Sequence, residues 1–202
     1  MLSVEIGRGK FRLQYSINAK TPRGLLRELV QFYNIHCCGC ADAEYYSFAA
    51  ERSLQAAISR AGLAEDPYRK RYDHQHLIPK DVLRTWGKKL LEQEKKLGTA
   101  KTFAELHELV VVASQSESGA GELLTYDTAV RIGAWLELEP ETIYLHAGSR
   151  KGAGALANLF DIDATLETLI VEALPPELHT LKPRHIENFL CIFAKTFEAC
   201  SK

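Results

Sequence analysis

Alternation comes first along the chain. Val4 and Ile6, then Phe11, Leu13 and Tyr15, alternate with polar neighbours. Gly7-Arg8-Gly9-Lys10 between them supplies turn chemistry, so the pattern predicts a β-hairpin over residues 3–16. An isolated hairpin is marginal in water and must lean on other elements. From Thr21-Pro22 onward the period becomes helical. A capping hydroxyl followed by proline opens a helix, and Leu25, Leu26, Leu29, Val30 and Tyr33 mark its apolar face. A second helix is predicted from Ala41 to Ala61, with Tyr45, Phe48, Ala49, Leu54, Ala57 and Ile58 inward and Gly62 as its stop. Pro79 opens a third helix that runs to Leu97 and is stopped by Gly98. Thr102-Phe103-Ala104-Glu105 is a capping box for a helix through Ala113.

Residues 114–121 form a Ser/Gly-rich break, and Thr125 to Leu136 is helical again. A short helical turn is expected at Pro140, and helices at Arg150–Phe160 and Asp163–Leu174, the latter stopped by Pro175-Pro176. Lys182-Pro183 opens the last helix, with Ile186, Phe189, Leu190, Phe193 and Phe197 inward. The fold class expected is mainly α: a compact multi-helix domain over 1–202 with a small N-terminal β-hairpin. If it is divided into two lobes, they are 1–101 and 102–202. The connections are short and no internal repeat is visible.

Composition narrows the function classes. Of 202 residues, 46% are hydrophobic and 25% charged, which excludes collagen-like and disordered chains. A net charge of -1 gives no global field for nucleic acid or anionic membrane. The opening Met1–Ile6 lacks a signal-peptide pattern, and no apolar run approaches the roughly 20 residues that span a bilayer. No membrane association is expected. Five cysteines, three of them in Cys37-Cys38-Gly39-Cys40, predict reduced thiols and a cytoplasmic location.

The charge is unevenly placed. Residues 66–101 carry ten Lys/Arg against five Asp/Glu, whereas residues 102–181 carry three against thirteen. Two solvated faces explain this, and so does a basic surface for phosphates. A third reading is docking between oppositely charged segments, in a protein-interaction module or by self-association. The densest basic run is Arg69-Lys70-Arg71, with Tyr68 and Tyr72 interleaved and Asp73-His74-Gln75-His76 following. Such a cluster can hold phosphates and stack bases, or be a solvated loop.

Gly119-Ala120-Gly121 lies between two predicted helices. Glycines there let backbone N–H groups converge on a phosphate, and the next helix adds its own unpaired N–H groups. With Thr128-Ala129 after it, and Ile143-Tyr144-Leu145-His146 and Arg150 beyond, this stretch of about 35 residues resembles the helix-hairpin-helix DNA-binding motif. More distantly it resembles the helix-hairpin-helix DNA glycosylases. His146 stands at the position of that family's catalytic aspartate, so the resemblance implies DNA binding rather than base excision. The binding residues expected are Gly119, Ala120, Gly121, Thr125, Thr128 and Arg131, together with Arg150 and Lys151. The last two open the predicted 150–160 helix, where cations oppose the helix dipole unless an anion is bound.

No Walker loop, Rossmann fingerprint, nucleophile elbow or His-Glu-x-x-His motif is present. A glycosylase-like enzyme with displaced catalytic groups would have His146 and Asp127 available. The leading expectation is a non-catalytic protein with no cofactor. His36, Cys37, Cys38 and Cys40 give half a zinc site or a Cys-x-x-Cys redox pair, but they are expected to pack as small hydrophobes.

Overall fold

The computed structural model describes residues 2–6, 13–72, 75–115 and 119–200, with residues 2–6 and 13–15 described by their backbone only. The expected turn at Gly7–Lys10, Phe11, and Asp73-His74 lie outside them. The chain is mainly α, and it forms two compact units. One combines residues 1–40 with 142–202, and the other is the continuous stretch 41–141. The division falls at 40/41 and 141/142, not at 101/102.

In the first unit, β1 (Leu2–Ile6) pairs antiparallel with β2 (Leu13–Ile17), Val4 opposite Tyr15. Then α1 (Pro22–His36) starts as its sequence requires: Thr21 Oγ1 accepts the amide of Gly24 at 3.1 Å, with Pro22 in the first turn. All five of its expected apolar positions are buried. They meet the buried face of the C-terminal helix Pro183–Cys200, where Ile186, Phe189, Leu190, Phe193 and Phe197 are fully enclosed. The Phe189 and Phe193 ring centroids are 4.7 Å apart, and Phe32 meets Phe193 edge-on at 6.2 Å.

The second unit begins within α2 (Cys38–Ala49) and continues with α3 (Leu54–Gly62). The single helix expected over 41–61 is therefore two. Ser53 is the reason: in extended conformation, its hydroxyl accepts the amide of Ala56 and starts a new helix. α4 (Lys80–Glu92) and α5 (Glu94–Leu97) divide the expected 79–97 helix at Gln93. The Thr102 hydroxyl, accepting the Glu105 amide at 3.2 Å, then opens α6 (Phe103–Ser114), while the Glu105 carboxylate accepts the amide of Lys101 rather than that of Thr102 as the expected box requires; α7 (Glu122–Leu136) ends on Glu137 in the left-handed conformation. Phe48, Ile58, Trp86, Leu90, Leu106 and Ile132 centre this core.

Returning to the first unit, the helical turn expected at Pro140 is absent; the chain extends into β3 (Ile143–Tyr144) and then α8 (Ala147–Ala157). The helix expected over 163–174 is absent too. Asp163 Oδ1 accepts both the amide and the hydroxyl of Thr165, a local turn that competes with helix. These bonds hold its carboxyl below the ordinary range. The chain then forms β4 (Thr168–Leu169), which pairs antiparallel with β3 and buries Ile143 opposite Leu169. Two short 3₁₀ turns, Val171–Ala173 and Pro176–Leu178, lead to α9 (Pro183–Cys200). Among the described residues, no helix is long and apolar enough to cross a membrane.

Candidate nucleic-acid interface

The 41–141 unit holds a cavity of about 520 Å³ whose lining is basic. Arg69, Lys70 and Arg71 come from the loop after α3, and Lys80 and Arg84 from the first turns of α4. Among the described residues, Glu65 is the one carboxylate in the lining.

Asp66 builds that loop. Its Oδ1 accepts the amides of Tyr68 and Lys70, each at 2.8 Å, and its backbone N–H donates to the carbonyl of Lys70 at 2.7 Å. Glu65 and Arg71 close the base as a β-bridge. Arg69 takes the left-handed region (φ 62°), and Tyr68 is 83% exposed at the tip. Arg71 donates to the carbonyl of Ile78 at 2.6 Å, fixing the return of the chain. Arg69 lies 3.6 Å from Glu65, and Arg84 bonds Asp81 at 3.1 Å in an exposed pair that contributes little to stability. Arg69, Lys70, Lys80 and Arg84 are exposed at this opening, with Arg71 half-buried behind them, and such a cluster of cations attracts polyanions.

The Gly119–Gly121 turn borders the same helix. A Cβ on Gly119 would stand 3.3 Å from Val82 Cγ1, and Val82 belongs to the segment of α4 that carries Lys80 and Arg84. Gly119 has φ +101°, a conformation L side chains rarely adopt. Gly121 is different: it is the N-cap of α7 with φ −75° and open space where a Cβ would go. Gly119→Ala is therefore expected to cost about 1 kcal/mol of backbone strain. Gly121→Ser should be neutral or add a few tenths of a kcal/mol, roughly the difference between serine and glycine at an N-cap. Urea unfolding of the two variants checks the contrast.

The remaining residues of the helix-hairpin-helix set are placed differently. Gly119 and Gly121 are exposed and Ala120 half-buried. Thr125 is buried, with its hydroxyl donating to the carbonyl of Gly121 at 3.1 Å. Thr128 is fully buried and accepts the indole N–H of Trp86 at 3.2 Å. Arg131 is 2% exposed. Its Nε and Nη2 reach Glu44 Oε1 at 3.0 and 2.9 Å, and its guanidinium lies 4.3 Å from the Tyr72 ring centroid. Of the members of the set in this unit, the part on the surface is the turn itself.

Arg150 and Lys151 belong to the other unit. Arg150 spends its guanidinium on the carbonyls of Leu145 and Leu166, and Lys151 pairs with Glu198 at 3.2 Å. The cations that oppose the dipole of α8 therefore have acceptors within their own unit. His146 is buried there too, with Nε2 2.6 Å from Glu187 Oε1.

Asp127 and Arg131 stand four residues apart on α7, a spacing that pairs opposite charges on an exposed helix face. They are 3.8 Å apart, but the arginine is inside and Glu44 is its closer partner. Nothing in local periodicity marks a contact across 87 residues. The cysteine cluster holds a similar surprise: Cys38 lies beside His185, a residue the sequence reading did not single out. No family model, no curated protein and no solved structure matches the chain.

Proposed function

We propose that this chain is a non-catalytic nucleic-acid-binding protein. Its phosphate contacts come from the basic cavity of the 41–141 unit and the adjoining Gly119–Gly121 turn. The observation that carries the reading is the convergence of Arg69, Lys70, Arg71, Lys80 and Arg84 on one cavity, in a chain whose net charge is only -1. Phosphates are recognised by such clustered cations and by unpaired backbone N–H groups, without reference to base sequence. Exposed Tyr68 beside them offers a ring on which a base can stack.

Fluorescence anisotropy with short single- and double-stranded DNA and RNA, between about 50 and 200 mM salt, tests this. Binding should fall steeply with salt. The triple variant Arg69→Gln, Lys70→Gln, Arg84→Gln should lose about tenfold or more in affinity. Its salt slope should become shallower by about one for each phosphate-contacting cation removed. Binding by the triple variant equal to that of the native chain, or no binding at low salt, would overturn the reading.

A further inference from the structure

The basic cavity of the 41–141 unit has the size of a ligand pocket. Its volume of about 520 Å³ lies within the roughly 300–1,000 Å³ of pockets that enclose a small molecule. Part of its lining is apolar, from Leu63 at the end of α3 and the buried Leu83 of α4. Carboxylates offset only part of its positive charge: Glu65 faces Arg69, and Asp81 faces Arg84. Two large apolar side chains stand in water next to lining residues in the chain. Tyr68 precedes Arg69, and Leu77, 96% exposed, follows His76. Neither belongs to the lining itself, so a ligand that reaches them extends beyond the cavity.

Size decides between duplex and single strand. A nucleotide in a duplex is paired and stacked, and it enters a pocket only by being extruded, at a cost that an unpaired nucleotide does not bear. The exposed ring and leucine point the same way, since unpaired bases offer faces for stacking and a duplex backbone does not. Charge decides between the middle of a strand and its end. A phosphodiester brings one negative charge, whereas a terminal phosphomonoester brings about −1.5 to −2 at pH 7 and three strong acceptor oxygens. Five cations around one small cavity match the denser group. An end also enters a pocket once, where an internal nucleotide needs the strand to turn in and out again.

We propose that this cavity takes the phosphorylated end of a single-stranded nucleic acid. The terminal phosphate lies among Arg69, Lys70, Lys80 and Arg84, and the bases that follow it lie against Tyr68 and Leu77. This rests on the nucleic-acid reading above and narrows it to one class of ligand. A free nucleoside monophosphate carries the same end group, but it lacks the following bases that would reach the two exposed side chains.

The test uses the full chain and fluorescence anisotropy, with one short oligonucleotide sequence labelled on an internal base. The sequence is presented with a 5′-phosphate, with a 3′-phosphate, with hydroxyls at both ends, as a closed circle, and as a blunt duplex with phosphorylated ends. At least one phosphorylated single strand should bind about tenfold tighter than the hydroxyl-ended strand, the circle and the duplex, the effect of one added charge-assisted hydrogen bond. Lys70→Gln combined with Lys80→Gln should remove most of that preference. Tyr68→Ala should weaken every single strand about fivefold or more and leave the preference intact. These side chains are exposed, and circular dichroism establishes that each variant is folded. Where one is not, the comparison of strand ends in the native chain decides by itself. Equal binding of circular, hydroxyl-ended and phosphorylated strands would overturn end recognition and leave the nucleic-acid reading standing, and so would a duplex bound as tightly as the best single strand. Adenosine monophosphate competing as well as the phosphorylated strand would give the cavity to free nucleotides and overturn the proposal. No oligonucleotide binding at low salt would overturn both readings, and binding to phosphatidylserine vesicles in that case would assign the cations and the exposed Tyr68 and Leu77 to a lipid surface.

Discussion

Replacing Arg131 with methionine is expected to destabilise the 41–141 unit by about 3–5 kcal/mol, the usual cost of removing one partner from a buried ion pair. The reason lies in what the guanidinium holds together. Glu44 from α2, Asp127 one turn earlier on α7 and Gln75 from the loop before α4 all converge on it. Gln75 is itself buried, donating to Asp127 Oδ2 at 2.5 Å and accepting from Arg131 Nη2 at 3.3 Å. Burial opposes the charge, yet Glu44 and Asp127 outweigh it and hold the guanidinium's pKa above its ordinary value. Methionine fills the space but takes the guanidinium away from Glu44, from Asp127, which keeps its bond from Gln75, and from the Gln75 amide oxygen. Adding Glu44→Gln to the variant should recover part of the loss, because it removes one of the stranded charges. Lysine should not rescue, since one ammonium cannot reproduce the two-point contact of Nε and Nη2 with Glu44. Urea melts of the single and double variants read these differences. A loss below about 1 kcal/mol in the methionine variant would mean that the network contributes no more than an exposed ion pair.

Gly152→Ala is expected to damage the other unit by about 3 kcal/mol, at the upper end of ordinary overpacking. A Cβ at Gly152 would stand 2.0 Å from the carbonyl oxygen of Leu190, 2.6 Å from its carbonyl carbon and 3.0 Å from its Cα. These are backbone atoms of α9, so no rotamer change relieves the clash, and α8 must move off the helix it packs against. Gly154, one residue past the next, provides the control. Its side has nothing within 4 Å, and Gly154→Ala should instead gain about 0.5–1 kcal/mol from helix propensity. Thermal melts of the two single variants, moving in opposite directions, would locate the helix contact to one side of α8.

Where local chemistry and burial agree, the sequence was readable. Thr21-Pro22 and the apolar stripe behind it produced α1, and Thr102 with Glu105 produced the start of α6. The aromatic face of α9 needed no more than its own spacing. Departures occurred where short polar side chains overrode periodicity. Ser53 restarts a helix that the apolar pattern would have carried through, and Asp163 with Thr165 diverts the chain into a strand whose partner lies more than twenty residues upstream.

The candidate site divides in the same way. The basic run at 69–71 was visible because its charges are adjacent. Its completion by Lys80 and Arg84 depends on how the loop folds back over α4. Thr125, Thr128 and Arg131 could be read as surface groups because the helix period alone leaves their face undecided. Both flanks of α7 are covered in this fold. The thiol beside His185 had no local signature at all, since 147 residues separate the two.

The order in which the chain leaves the ribosome now acquires a meaning. The 41–141 unit is one uninterrupted stretch and is complete as soon as its last helix emerges, whereas α1 must wait for α9. At bacterial or eukaryotic elongation rates that delay is on the order of ten seconds. For that interval Leu29, Phe32 and Tyr33, the side chains that α9 will finally cover, belong to a nascent segment whose partner has not been translated. Misfolding during synthesis should therefore originate in the first forty residues, and a chaperone bound there would be released by the arrival of the C-terminal helix.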